Sequence, residues 1–244
     1  MILQERIPFD LSPRKLPGIQ PTTMEDWLHR DEAFDGQMAR RDALISERYD
    51  QVIAMHESAR PAALELLDLV LATAYGVQGD SVLRPDGVAV AINRSDPMAS
   101  LGRLVQEDLC VLQKQGDEHV LTAASLCFPA SWLLSEKLMR PLIGIHKPVE
   151  SYDDNIARRV QRLFDGIQVG RPLWRFNALW YEDPELHQPR SESARRKKPA
   201  ATPPFLRSER QCLLRLPETK AVVFSIHTYV VPRKAVGPEM QNPA

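Results

Sequence analysis

Apolar positions along the chain fall first on a helical period and later on an alternating one. Residues 1–22 show neither. Pro13, Pro17 and Pro21 with Gly18 predict an extended arm. Thr23 stands before Met24-Glu25-Asp26-Trp27 as a helix N-cap. Trp27, Leu28, Phe34, Met38, Leu44, Ile45, Tyr49 and Val52 carry a helical spacing to about residue 55. Pro61 opens a second helix, which Gly76 stops. The charges of this first third read as a solvated face.

The texture then changes. Residues 87–94 form a short β-like run. Leu101–Gln113 and His119–Phe128 flank the turn residues Gln115-Gly116-Asp117-Glu118 and predict a hairpin, with His119 exposed beside the turn. Pro129 breaks that strand, a short amphipathic helix follows, and Pro141 and Gly144 break the helix. His146 comes next, between an apolar run and Pro148, with Arg140 and Lys147 near it. Residues 152–166 predict a helix capped by Ser151, with Ile156, Val160, Leu163, Phe164 and Ile167 as its stripe. On strand 169–181, Leu173, Arg175, Asn177 and Leu179 share one face, and Trp174, Phe176, Ala178 and Trp180 the other. Residues 183–204 are polar and Pro-rich, with the basic run Arg195-Arg196-Lys197-Lys198, and read as a mobile surface loop. A last hairpin joins Leu206–Leu216 to Ala221–Val231.

Helices grouped before and between hairpin-linked strands predict an α+β fold with an antiparallel sheet. The domain reading is an arm at 1–22, a helical segment at 23–80, a sheet domain at 81–232 with the basic loop 183–204 inserted, and a loose tail at 233–244.

A length of 244 residues is ample for a core, and a net charge of -1 argues against a general nucleic-acid binder. No run of about 18 apolar residues predicts a membrane span. The first residues lack a basic segment followed by an apolar one, so no secretory signal is expected. Cys110, Cys127 and Cys212 sit in apolar runs without local pairing and read as reduced core thiols, hence an intracellular, cytoplasmic setting. There is no Gly-rich phosphate loop, Gly-x-Ser-x-Gly elbow, His-Glu-x-x-His or Cys-x-x-Cys. What remains is one histidine in an apolar setting, His146, with an aromatic strand and arginine-rich strands. Those are the parts of a haem b site: an imidazole for iron, an apolar wall for porphyrin, and guanidinium groups for the propionates. A lone histidine is also an ordinary structural residue.

Four segments carry a resemblance: Cys127–Trp132, Arg140–Val149, Val169–Asn177 and Leu206–Pro217. In this order they resemble the α-subunit family of haem-dependent oxidative N-demethylases, from about Trp27 to Pro232. The matching positions are Pro129, Trp132, Arg140, Pro141, His146, Pro148, Gly170, Arg171, Pro172, Trp174, Asn177, Arg207, Glu209, Arg210 and Gln211. The resemblance implies haem b in a PAS-like sheet and oxidative removal of a methyl group from a small secondary amine, with formaldehyde released. It also implies oxygen as co-substrate and electrons from an external flavin and iron–sulfur reductase, in a hetero-oligomer.

On that footing His146 is the axial-ligand candidate, assigned by its chemistry, and His227 its rival. Arg140, Arg171 and Trp174 are the other cofactor contacts. Arg207, Glu209 and Arg210 are the catalytic candidates, with Arg210 on the opposite strand face from the other two. A salt bridge explains Arg207 and Glu209 equally well, and capping explains Arg140 and Arg171. The family pattern implies a basic residue, often arginine, where His227 stands. It also implies a further helical segment after the last hairpin, so the chain is expected to be truncated or to end unusually. A haem or small-ligand sensor without turnover, and a scaffold without cofactor, are the other readings.

Overall fold

The computed structural model describes residues 1–12, 18–77, 79–146, 154–194 and 202–237, with backbone only for His146 and residues 154–158. In chain order the elements are β1 (Gln20–Pro21), α1 (Phe34–Glu47), α2 (Tyr49–Val52), β2 (Ile53–Met55), α3 (Arg60–Val70), β3 (Ser81–Leu83), β4 (Ala89–Ala91) and α4 (Pro97–Gly102). Then follow β5 (Asp108–Gln115), β6 (Glu118–Ser125), α5 (Leu134–Lys137), α6 (Leu142–His146), α7 (Asp154–Gly166), β7 (Leu173–Tyr181), β8 (Phe205–Arg215) and β9 (Val222–Pro232). The fold is α+β. Its main sheet has seven strands in the order β1-β7-β8-β9-β5-β6-β2, and every neighbouring pair is antiparallel. β3 and β4 form a separate hairpin.

Side-chain alternation divides most of the sheet between two apolar clusters, and Trp180, Leu206 and Val231 form a third with Val236. Leu109, Val111, Ala123, Cys212, Leu214 and Val223 point to one face and join Leu44, Ala62, Leu66, Met98 and Leu101 of the N-terminal helices. Cys110, Leu112, Leu121, Leu213 and Val222 point to the other and join Leu134, Leu142 and Phe164 of α5, α6 and α7. These are called the N-terminal face and the α6 face below. Strands from residues 20–21 and 53–55 lie in the same sheet as β5–β9, and the first cluster runs from Trp27 to Val230.

The arm, where described, is packed. β5 pairs with β9 only as far as Asp108↔Ile226, which leaves the backbone of Thr228 and Val230 open on that side. Gln4 fills the gap: its amide accepts from Val230 N (2.8 Å) and donates to Thr228 O (3.2 Å), and Gln37 donates to the same carbonyl (3.0 Å). Pro13 and Pro17 lie outside the described residues.

Several local expectations are corrected. Thr23 does accept from Asp26 N (3.3 Å), yet residues 24–27 close as turns and the helix begins at Phe34. Arg210 takes the carbonyls of Asp26 (2.6 Å) and Trp27 (3.3 Å), which a continuing helix would need for its own amides. Residues 53–55 pair with Ser125–Ala123 instead of ending a helix. The apolar run at Leu101 splits, because Asp96 caps α4 at Ala99 N and the strand begins at Asp108. β6 ends at Ser125, before Phe128. Gly144 lies inside α6, which follows Pro141, and breaks nothing. His119 is buried, not exposed, against Gln161 and Phe164 of α7. The charges of the first third are not all solvated: Arg41 and Asp108 form a fully buried ion pair at 2.7 Å.

The loop after β7 is packed where described. Leu186 and His187 are buried, Ala130 bridges Gln188, and Glu192 pairs with Lys137 and Arg140. The basic run 195–198, the Ser151 cap and residues 238–244 lie outside the described residues.

Candidate functional site

The strand registers set side chains in rows across β7, β8 and β9 on the α6 face. Leu173, Leu213 and Phe224 form one row, Arg175, Gln211 and Ile226 the next, Asn177, Glu209 and Thr228 a third, and Leu179, Arg207 and Val230 a fourth, at which Val230 joins the first cluster with Phe128 and Leu186. Two polar rows are thus set into an apolar sheet face. Residues 173–178, Gln211 and Phe224 are only half-buried, and Trp132 and Ile145 pack partly exposed near the first row.

Glu209 is held at the centre of this surface. Its Oε2 accepts from Asn177 Nδ2 (2.9 Å) and Gln211 Nε2 (3.1 Å), and its Oε1 lies 3.8 Å from the Arg207 guanidinium. Arg207 is anchored in turn, donating to the carbonyls of Phe128 (2.5 Å) and Leu186 (2.9 Å). Arg175 has its Nε enclosed without a partner, and the buried Thr228 hydroxyl is also unpartnered. Burial holds the Arg175 guanidinium below its usual range, against the opposing pull of Glu209.

The stretch that delivers His146 is tied down on both sides. Met139 N donates to Leu121 O and Leu121 N to Arg140 O, which extends the cover of the β6 edge beyond β2. Ser131 and Met139, at either end of the α5 segment, have positive φ (71° and 59°) without being glycine. The buried Lys137 ammonium donates to Ile145 O (2.6 Å), capping α6 one residue before His146. The side chain of His146, and all of Pro148, lie outside the described residues.

Other predicted site residues are dispersed. Arg140 is exposed and shares Glu192 at 3.3 Å. Arg171 is exposed in the turn before β7, lining a cleft of about 460 Å3 with Leu173 and Gly170. Trp174 and Arg210 lie on the N-terminal face. Trp174 meets Phe9 edge-on at 5.5 Å, and the Arg210 guanidinium stands 5.2 Å from the Trp174 ring. Arg210 also binds the Asp26 carboxylate (2.7 Å), so it clamps the turn 22–27.

His227 is on the N-terminal face too. Its Nδ1 meets Glu107 Oε1 at 2.9 Å and its Nε2 meets Asp31 Oδ2 at 3.0 Å, with the ring 1% exposed. Burial pushes its pKa down, but hydrogen bonds and charge from Asp31 and Glu107 outweigh that and raise it to about 9. An imidazolium donating from both nitrogens has no lone pair for iron. His29 likewise uses both nitrogens, on Tyr229 (2.6 Å) and Asp26 (3.0 Å). A cleft of about 560 Å3 opens beside His29, Leu28 and Phe34, away from the polar rows.

The family pattern of haem-dependent oxidative N-demethylase, alpha subunit-like, matches residues 18–244. The chain belongs to that family. The described residues of this alpha subunit-like protein fit a haem in two respects: the apolar cluster with Trp132 and Ile145 offers a wall, and the half-buried Arg175 guanidinium, whose Nε finds no partner, offers a cation to an acidic edge. Among the described residues no cluster of three His, Cys, Asp or Glu side chains could hold a metal ion, and no helix is long and apolar enough to cross a membrane. A single axial histidine requires no such cluster. In the sequence Asn177 and Gln211 stand out as family positions, and Arg175 only as a neighbour of Asn177 on one strand face. The signal was present in the alternation of strand 173–181, but the neighbours of that face come from β8 and β9.

Proposed function

We propose that this chain holds haem b over the α6 face of β7, β8 and β9, in a PAS-like arrangement, and oxidatively removes a methyl group from a small secondary amine with release of formaldehyde. Family membership supports the haem and the reaction class. On the chain itself the reading is carried by the polar rows around Glu209, where buried polar atoms stand unpartnered in an apolar sheet face. Haem supplies the redox centre and oxygen activation when bound, with electrons from an external flavin and iron–sulfur reductase.

The protein residues bind and orient. His146 would ligate the iron from the end of α6, with Lys137 fixing the preceding turn. Glu209, oriented by Asn177 and Gln211, offers a carboxylate to the ammonium of the amine, and Arg207 keeps that carboxylate in place. Arg140 and Arg171 are contacts for the cofactor's rim. Trp174 and Arg210 act from the other face by holding Phe9 and the turn 22–27 against the sheet. Three buried free thiols suit a reducing compartment such as the cytoplasm.

The test is spectroscopic first. Protein purified with haem supplied should show a Soret band, and failure to show or reconstitute one defeats the proposal. With the amine, oxygen, the reductase and reduced nicotinamide, formaldehyde should form. Gas-dependent spectra without formaldehyde would instead favour a sensor without turnover.

A further inference from the structure

We infer that Arg175 is an anion anchor for the bound cofactor: its guanidinium pairs with a carboxylate on the haem edge. The inference rests on the haem reading above and deepens it, because it names a residue with no role in the family pattern quoted earlier.

Arg175 lies in β7 opposite Gln211, next to the row of Glu209, on the α6 face. No hydrogen bond or ion pair to it occurs among the described residues, and its Nε is enclosed without a partner. Its neighbour Glu209 is already engaged by Asn177, Gln211 and Arg207. Arg41, Arg190 and Arg207 also leave one nitrogen unmatched, but Arg41 and Arg207 are anchored through their other nitrogens, and Arg190 lies in the loop after β7, outside the sheet. A half-buried guanidinium without a hydrogen-bond partner weakens the ligand-free fold, since the charge of Glu209 offsets its desolvation only in part. Such a group is explained when its partner arrives with the ligand.

A second unpartnered atom lies on the same face, two strands across and one row on. The Thr228 hydroxyl stands in the row of Glu209, 1% exposed. Position also matters. β1 pairs only with Leu173 and Trp174, so Arg175 sits at the sheet margin just past β1, beside the apolar row Leu173–Leu213–Phe224. A flat apolar ligand lying on that row would present its acidic edge there. Arg140, which shares Glu192, and Arg171 are both exposed, so their contacts at the rim are screened by water more than that of the half-buried Arg175.

Two measurements on Arg175→Met test this. In ligand-free protein, urea unfolding should show the variant at least as stable as the parent, and a clear loss would mean that Arg175 is structural and would overturn the inference. In haem titrations followed at the Soret band, the variant should bind haem about ten- to a hundred-fold more weakly. It should bind the dimethyl ester of the same porphyrin, whose carboxylates are blocked, as well as the parent does. Unchanged haem affinity, or equal losses for haem and ester, overturns the inference alone. A parent protein that binds neither overturns the haem reading, and the inference with it.

Discussion

The ion triad on the N-terminal face makes a quantitative prediction about stability and pH. His227 is enclosed between Asp31 and Glu107, and its pKa is raised to about 9 from an ordinary 6.5. A group whose folded pKa is raised stabilises the protein fully below its unfolded pKa. That contribution is lost as the pH rises through the folded value. The stabilisation is therefore complete below about pH 6.5 and gone above about pH 9, and the shift corresponds to about 3 kcal/mol. Urea unfolding followed by tryptophan fluorescence at intervals from pH 6 to 9.5 measures it. Other groups also contribute in this range, including Cys110 and Cys127, whose thiols burial pushes up in the folded protein so that they ionise here only when it unfolds. The comparison that isolates His227 is the difference between the parent and His227→Gln. At pH 6 the variant should be less stable by about 3–5 kcal/mol, because Glu107, itself 1% exposed, loses its counter-charge. The gap should narrow by about 3 kcal/mol towards pH 9.5. Parallel stability profiles for the two proteins would show that the folded pKa of His227 is not raised and refute the reasoning.

Other expectations follow from single contacts. Arg41→Met removes the partner of a buried Asp108 that also accepts from Cys127 N (2.7 Å) and Phe128 N (2.9 Å). It should cost about 3–5 kcal/mol in chemical denaturation, and a loss under about 1 kcal/mol would mean that the backbone amides alone hold the carboxylate. At Gly102 a Cβ would stand 2.3 Å from Ser125 Oγ and 2.8 Å from Ile45 Cδ1. Gly102→Ala should therefore destabilise by about 1–3 kcal/mol, with part of the loss recovered in the double variant with Ser125→Ala. Asp31, at about 2 because bonds to His227, Gln106 and Gln4 outweigh its burial, contributes stability fully present above about pH 3.8. Acid titration of Asp31→Asn beside the parent should show that contribution disappear as the pH falls through about 2. His146→Ala should abolish or shift the haem spectrum, and an unchanged spectrum would remove His146 as the ligand.

The five long strands of the sheet and the helices α1, α3 and α7 were legible along the chain. Their apolar periods run over enough residues to outweigh local ambiguity, and Gly76, with φ 65°, stops the π-helical turn Leu71–Tyr75 that continues α3. Short elements were not legible. Ile53–Met55 fits the end of a helix as well as a strand, and only the open edge of β6 makes it a strand. Thr23 is a sound cap for a helix that Arg210 prevents by taking two carbonyls from another part of the chain. The surface at Cys127–Phe128 depends on Asp108, and α6 on Lys137, through contacts that no local pattern announces.

The candidate site divides in the same way. Alternation along β7 and β8 determined by itself that Arg207 and Glu209 share a face, that Arg210 does not, and that Arg175 and Asn177 lie opposite Trp174. Which face meets α6 was a tertiary decision, because strand order and register bring Gln211, Thr228 and Phe224 beside them from other strands. The same holds for the histidines. Residue type makes His227 a candidate ligand, but the carboxylates of Asp31 and Glu107 convert it to a buried cation. A side chain's chemistry is set by the groups within a few ångströms of it, and those come from segments far apart in the chain.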